Sequence, residues 1–291
     1  MSRPRGYANF HTHARYCDGQ GELADYVRAA QKLGFEALGF SCHNPLPFPC
    51  TWTMPPEELP VYLKTAAELK ESRPPGLELL VGLEIDYIPG LSGPADPRFR
   101  DLNLDFTIGS VHFLGLLADG SRWTVDGPRE ELERGLAESF RGDLRAAVRR
   151  YYELVAELVA LSPPDMLGHF DLIKKNNRDG RLFSEEEQWY RECVCAALDE
   201  VARSQVVMEV NTGGLFRDTS GSLYPSSWII TECLARDIPL IVNSDAHKPE
   251  DLAGCFPETY ALLDELGVST CRRLGKAGWQ DLPLKDFRSA E

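Results

Sequence analysis

Seven short apolar runs, separated by stretches with helical spacing, constrain the fold of this chain more than any other feature. The runs predict strands at 8–13, 37–43, 79–87, 106–113, 166–170, 206–211 and 240–245, and most are almost continuously apolar, as strands buried on both faces are. Helical patterns lie between several of them, at 22–33, 57–71, 143–161, 184–203 and 226–236. Ser184 and Glu187 have the spacing of a capping box, which predicts the start of the fourth helix.

Alternating strands and helices favour a parallel sheet in an α/β fold. The chain has no linker and no break in composition, so we expect one domain over residues 1–291, a closed barrel of seven β/α units. An open doubly wound sheet is the alternative, but no strand is followed by the G-x-G-x-x-G spacing of a dinucleotide site.

Charge and hydropathy narrow the classes of partner. The chain has 31 Lys and Arg against 45 Asp and Glu, a net charge of −14, which argues against binding long nucleic acids or anionic membranes. No stretch reaches the roughly 18 apolar residues of a membrane span, and the first ten residues lack the apolar core of a signal peptide. We therefore expect a cytoplasmic protein whose eight cysteines are reduced thiols. A homo-oligomer is compatible with these features.

Histidine and carboxylate residues gather where the predicted strands end. In a parallel barrel these ends meet at one rim, where active sites form. A single histidine there is more often a hydrogen-bonded core residue than a ligand, but this many imidazoles and carboxylates are costly to bury together without a metal. The set matches the donors of Zn, Fe or Mn sites, and its members are His11, His13, His43, Glu84, His112, His169, Asp245 and His247.

Two cysteines adjoin this set. Strand alternation turns Cys42 away from the rim when His43 points toward it, so we interpret Cys42 as a packing residue. In the loop after the first strand, Asp18 is a better ligand candidate than Cys17, because a hard carboxylate suits a metal bound by a loop.

The motifs at these positions resemble those of the polymerase and histidinol phosphatase (PHP) family, in particular its histidinol-phosphate phosphatase branch. The similarity covers about residues 8–266 and is carried by His11-Thr12-His13, Ser41-Cys42-His43-Asn44-Pro45, Gly109-Ser110-Val111-His112, Gly168-His169 and Ser244-Asp245-Ala246-His247. The resemblance implies a distorted (β/α)7 barrel with a trinuclear metal site.

The resemblance also implies how the ligands are shared among the metals. One metal would be held by His11, His13, Glu84 and Asp245, a second by Glu84, His112 and His169, and a third by His43, His247 and a residue of the loop after the first strand. Many relatives have a histidine in that loop. Here no histidine occurs between His13 and His43, and Asp18 is the predicted substitute.

The implied activity is hydrolysis of a small phosphomonoester, namely L-histidinol phosphate in histidine biosynthesis, with two to three Zn, Fe or Mn ions. Such ions lower the pKa of an attacking water and neutralise the phosphate. On the same match, Glu84, Asp245 and His247 are the predicted catalytic residues, and Lys175 and Arg217 are the predicted phosphate ligands; Lys174 is a weaker alternative.

Other interpretations stay open from the sequence. A PHP phosphoesterase acting on nucleotides or nucleic-acid ends would use the same metals. A PHP module without catalytic activity is an alternative of a different class. An amidohydrolase also begins with an H-x-H motif, but it would normally have a lysine or a second bridging ligand late in the barrel. The apolar loop 45–52 is interpreted as a wall over the substrate, with packing onto a neighbouring loop as the alternative, and 114–132 is a candidate second lid.

Overall fold

The computed structural model describes residues 6–217 and 221–287, and a parallel sheet lies at its centre. In chain order the strands of these residues are β1 (Ala8–Asn9), β2 (Ala37–Phe40), β3 (Glu78–Asp86), β4 (Phe106–Ser110), β5 (Phe113–Leu116), β6 (Arg122–Thr124), β7 (Met166–Leu167), β8 (Val207–Asn211), β9 (Leu240–Asn243), β10 (Thr270–Gly275) and β11 (Gly278–Pro283). Seven of these described strands form one sheet in the order β1-β2-β3-β4-β7-β8-β9. All neighbours in this sheet are parallel.

Backbone hydrogen bonds beyond the strand ends bring the two edges of the sheet together. The amide of His13 donates to the carbonyl of Ala246 at 2.8 Å, and the amide of Ala246 donates to the carbonyl of His11 at 3.1 Å. The predicted (β/α)7 barrel is confirmed. Six of its seven strands are shorter than predicted, because beyond their ends the regular ladder gives way to isolated bridges, such as Thr12 with Ala246 and His43 with Glu84.

The helices of the described residues are α1 (Leu23–Leu33), α2 (Glu58–Glu71), α3 (Pro97–Arg100), α4 (Arg129–Phe140), α5 (Leu144–Leu161), α6 (Gln188–Ser204), α7 (Gly213–Phe216), α8 (Ser227–Leu234) and α9 (Phe256–Glu265). The start predicted for the fourth helix at Ser184 is wrong. The amide of Ser184 donates to Glu187 Oε1 at 3.3 Å, but Ser184 Oγ accepts from the amide of Glu186 at 3.2 Å rather than from that of Glu187. These residues form a turn ahead of α6 instead of a capping box. None of these described helices is long and apolar enough to cross a membrane.

Alternate residues of the strands face two different cores. Leu79, Val81 and Leu83 of β3 pack outward against the helices, whereas Leu80 packs inside the barrel. Burying each such side chain stabilises the fold by about 1.5–3 kcal/mol. Inside the barrel, a Cβ on Gly39 would lie 2.7 Å from the ring of Phe106, so only glycine allows this ring to fill the interior.

Two antiparallel hairpins and the helices α3, α4, α7 and α9 were not predicted. The hairpin β5–β6 and helix α4 lie between β4 and α5, and the hairpin β10–β11 follows α9. Leu274 and Trp279 of the second hairpin pack against the apolar cluster inside the barrel. The first hairpin leaves the barrel mouth directly after His112, so it borders the predicted site.

Candidate metal centre

The carboxylate of Glu84, near the end of β3, is surrounded by five imidazoles. Its Oε2 lies 3.2 Å from His11 Nε2, 3.3 Å from His13 Nε2 and 3.0 Å from His43 Nδ1. Its Oε1 lies 2.9 Å from His169 Nε2 and 3.7 Å from His112 Nε2. The side chain is 1% exposed, so nearly all of its charge is shielded from water and must be balanced by these neighbours or by cations.

Several of these atoms have no hydrogen-bond partner among the described residues. They are His11 Nε2, His13 Nε2, His43 Nδ1 and Glu84 Oε2, all buried. An unpaired buried polar atom costs about 1–3 kcal/mol, and four together indicate a missing partner. Neutral imidazole and carboxylate are the donors that divalent transition metals take. The residues therefore fit such ions.

The ligand atoms fall into four overlapping groups among the described residues. The groups are His13, Asp18, His43 and His247; His11, Glu84 and His169; His11, His13 and Asp245; and His43, Glu84 and His112. All nine predicted metal ligands are thus brought together. The grouping differs in detail from the predicted one, since His11, His13 and His43 each lie in two groups.

Asp18 reaches the site from the loop after β1, as predicted. Its Oδ2 lies 3.2 Å from His247 Nε2, and its Oδ1 lies 3.7 Å from His43 Nε2. The thiol of Cys17 instead lies 3.5 Å from His13 Nδ1, on the far side of that ring from Glu84. Cys42 is buried and accepts a hydrogen bond from the amide of Ala14 at 3.3 Å, so its predicted orientation away from the site is confirmed.

Two buried carboxylates behind the imidazoles were not included in the predicted site. Glu209 Oε1 accepts a hydrogen bond from His11 Nδ1 at 2.7 Å, and Asp86 Oδ1 accepts one from His112 Nδ1 at 2.7 Å. Such contacts select the tautomer that leaves Nε2 free to bind a cation. Asp86 could have been found from strand alternation, because it lies two residues after Glu84 and therefore on the same face.

Burial and neighbouring charges set the protonation states of these imidazoles. Burial, together with the imidazoles of His247 and His43, lowers the pKa of His13 to about 3. Burial acts in the same direction on His112, but the Asp86 carboxylate outweighs it and raises that pKa to about 10. The surrounding imidazoles overcome the effect of burial on Glu84 and hold its pKa well below the usual range. Glu84 is therefore an anion available to cations.

The three basic residues near the site have different environments. Arg217 donates from Nη2 to Asp245 Oδ2 at 2.5 Å and from Nη1 to His247 Nδ1 at 2.9 Å, so its guanidinium lies against the metal ligands. Lys175 Nζ lies 3.5 Å from Asp126 Oδ2. Lys174 is buried and paired with Asp171 at 2.8 Å. Lys174 is thus a structural residue, whereas Arg217 and Lys175 face the site.

Arg217, Lys175 and seven of the nine metal ligands line a cavity of about 1070 Å³ at the barrel mouth. The loop 45–52 forms one wall, as predicted, and the hairpin β5–β6 forms another. The Trp52 ring packs at 4.7 Å from the His43 ring and 5.5 Å from the Phe113 ring, between the metal ligands and the hairpin. The cavity combines an apolar side with a side rich in metal ligands and cations.

Comparisons with known proteins agree with this geometry. Residues 9–213 match the model of the PHP domain. The chain is 30% identical over 268 residues to a probable histidinol-phosphatase of Deinococcus radiodurans, covering 91% of this chain and 95% of that protein. It is 28% identical over 263 residues to the histidinol-phosphatase of Bacillus subtilis, covering 84% and 95%.

Two solved structures share the fold. A putative histidinol phosphatase of Listeria monocytogenes has a TM-score of 0.75 and 26% identity, with 87% of this chain and 100% of that chain covered. The histidinol phosphate phosphatase of Lactococcus lactis, solved with zinc, L-histidinol and phosphate, has a TM-score of 0.69 and 19% identity, covering 96% and 100%. The chain belongs to the PHP-domain family, in its histidinol-phosphatase branch.

Proposed function

We propose that this chain is a metal-dependent phosphomonoesterase that hydrolyses L-histidinol phosphate to L-histidinol and phosphate. The observation that carries the proposal is the set of unpartnered imidazole and carboxylate atoms around Glu84, which opens into a cavity bordered by Arg217 and Lys175. The curated relatives named histidinol-phosphatase, and the Lactococcus lactis enzyme solved with histidinol and phosphate, support the choice of substrate.

The ligand groups suit two to three divalent ions of the Zn, Fe or Mn type. We assign their ligands to His11, His13, Asp18, His43, Glu84, His112, His169, Asp245 and His247. Bound divalent cations supply two things to phosphate ester hydrolysis: a lowered pKa of the attacking water and neutralisation of the phosphate charge. Glu84, Asp245 and His247 are the proposed catalytic residues, because they adjoin both the ligand groups and the open cavity.

The remaining side chains have separate tasks in this proposal. Arg217 presents a planar fork that matches two phosphate oxygens, and its contacts with Asp245 and His247 hold that fork beside the ligand groups. Lys175, which also lines the cavity, adds a second positive charge. Trp52 and Phe113 offer flat apolar surface for the imidazole ring of the substrate and exclude water from the ester.

Phosphate release from a panel of phosphomonoesters tests the proposal. Protein purified with Zn, Mn or Fe(II) is assayed against L-histidinol phosphate, sugar phosphates and nucleoside monophosphates, before and after chelation. We expect the highest kcat/KM for L-histidinol phosphate, loss of activity with chelation, and two to three ions per chain. A preference for nucleotides, or full activity with less than one ion per chain, would refute this assignment.

A further inference from the structure

Asp126 adds a carboxylate that is not among the assigned metal ligands to the cavity proposed to take the phosphate. Its side chain is 27% exposed and lines the same cavity as Arg217, Lys175 and the imidazoles of His112 and His169. A carboxylate repels a phosphate dianion, and the repulsion is larger in a partly buried site than in water. A positively charged group on the ligand would offset this repulsion.

The backbone around Asp126 is held rigidly beside the metal ligands. The amide of Val125 donates to the carbonyl of His112 at 2.9 Å. On the other side, Asn176 Nδ2 donates to the carbonyl of Gly127 at 3.0 Å. The segment is thus attached both to the end of β4 and to the loop after β7, so Asp126 is a fixed part of the cavity wall.

Lys175 and Asp126 form a pair of opposite charges inside the cavity. Lys175 Nζ and Asp126 Oδ2 are 3.5 Å apart, and both side chains are about a quarter exposed. Despite burial, the charges of His112, Lys175 and His169 hold the pKa of Asp126 below its usual value, so the carboxylate is ionised at neutral pH. A partly exposed pair of this kind is complementary to a ligand that has an anion and a cation a few ångströms apart.

We propose that Asp126 binds a substrate ammonium group while Lys175 binds the phosphate of the same molecule, so that the site selects phosphate esters of 2-amino alcohols. The inference rests on the proposed phosphomonoesterase activity and adds a specificity-determining residue to it. In such an ester two carbons separate the nitrogen from the ester oxygen, so ammonium and phosphate match the paired charges of Asp126 and Lys175.

Two substrates that differ only in the amine test the inference. They are L-histidinol phosphate and its analogue without the amino group, 3-(imidazol-4-yl)propyl phosphate. We expect the wild-type enzyme to prefer the amine substrate by about 10- to 100-fold in kcat/KM, the range of one charge-assisted hydrogen bond. Asp126→Asn is expected to reduce the preference to less than about 3-fold, by lowering kcat/KM for the amine substrate alone.

Two control variants separate ammonium binding by Asp126 from a general effect of charge in the cavity. Lys175→Met is expected to lower kcat/KM for both substrates equally and to weaken inhibition by inorganic phosphate. Glu131→Gln removes another carboxylate from the cavity wall, but Glu131 Oε1 already accepts a hydrogen bond from the amide of Thr124 at 2.7 Å, so the preference is expected to persist.

Three outcomes would overturn the inference. An equal fall in kcat/KM for both substrates in Asp126→Asn would show that Asp126 only orients Lys175. If Glu131→Gln reduced the preference for the amine substrate as much as Asp126→Asn does, the preference would come from the total negative charge of the cavity and not from a contact with Asp126. A wild-type enzyme that hydrolyses both substrates equally would refute the ammonium site and leave the proposed function intact.

Binding keeps the inference testable if the proposed function fails. If no phosphomonoester is hydrolysed, titration calorimetry with inorganic phosphate present compares L-histidinol with 3-(imidazol-4-yl)propan-1-ol. Tighter binding of L-histidinol that is lost in Asp126→Asn supports the ammonium site, and equal binding of the two alcohols overturns it.

Discussion

Lys174 and Lys175 are adjacent in sequence, but their environments predict opposite effects of substitution. Lys174 is 3% exposed, and its Nζ contacts Asp171 Oδ2 at 2.8 Å, the carbonyl of Leu223 at 2.8 Å and the hydroxyl of Ser226. Replacing Lys174 by Met removes all three contacts and leaves the carboxylate of Asp171 buried without a counter-charge. Breaking a buried pair in this way costs about 3–5 kcal/mol of unfolding free energy.

The pH dependence of this loss follows from Asp171. Burial already raises its pKa, and removing the positive charge of Lys174 raises it further. When the pKa of a carboxyl group is higher in the folded than in the unfolded state, the free energy of unfolding falls as pH rises above the unfolded pKa, until the folded pKa is reached. The Lys174→Met variant is therefore expected to be less destabilised at pH 5 than at pH 7, by up to about 1.4 kcal/mol per pH unit.

Urea unfolding at the two pH values measures this effect, with Lys175→Met as the matched control. Lys175 is 25% exposed, so its loss is expected to change the unfolding free energy by less than about 1 kcal/mol while lowering kcat/KM. The double variant Asp171→Leu/Lys174→Met is expected to recover most of the stability lost in Lys174→Met. A Lys174→Met variant within about 1 kcal/mol of wild type at pH 7 would refute the assignment of Lys174 as a structural residue.

Three further predictions concern the phosphate, the metals and the core. Arg217→Ala is expected to lower kcat/KM for L-histidinol phosphate about 30- to 1000-fold with unchanged metal content, and Arg217→Lys is expected to recover part of the lost kcat/KM. Loss of metal in parallel with activity would contradict the proposed phosphate contact. Asp18→Ala is expected to lower kcat and to lower the metal content, measured by elemental analysis, by about one ion per chain. A folded but less stable variant with full metal content would instead indicate that Asp18 only stabilises the loop. Buried tyrosines have raised pKa values, so ultraviolet titration of the folded protein near pH 11 is expected to detect fewer tyrosinates than the chain's ten tyrosines. The free energy of unfolding is expected to fall above pH 10, because only the unfolded chain ionises these tyrosines. Complete titration of the folded protein would contradict this. The tyrosines concerned are Tyr26, Tyr62, Tyr151, Tyr152, Tyr190 and Tyr260.

The barrel and the histidine cluster were predictable because both depend on local patterns. A short apolar run predicts a buried parallel strand, and a parallel barrel brings all carboxyl ends of its strands to one rim. His43 and His112 lie two or three residues beyond the ends of their strands, so their convergence needed only the order of the elements. Most strand ends were placed too late, because hydropathy does not distinguish a regular ladder from the isolated bridges that follow it.

Contacts between distant segments were not predictable in the same way. Glu209 lies inside a strand and has the local sequence of a core position, yet its carboxylate contacts His11 and the amide of His169 from two other strands. Nothing local to β8 indicates these partners. Similarly, Lys174 and Lys175 have the same residue type, and only the packing of the loop after β7 directs one inward to Asp171 and the other into the cavity.

The hairpin β5–β6 adds the least predictable part of the site, and its position suggests why the 114–132 segment has no clear sequence signal. A barrel needs only a short connection between β4 and the next helix, so residues inserted there are free of the hydropathy constraints of the barrel. They are constrained instead by the cavity that they cover, to which they contribute Arg122, Thr124 and Asp126. The metal ligands come from the barrel strands and the loops that follow them, whereas the Asp126 carboxylate lies on the segment that leaves this hairpin. If Asp126 selects the substrate amine, chemistry and selectivity are thus divided between the barrel and the insertion, and exchanging the 113–128 segment should change the preferred alcohol without changing the metal content.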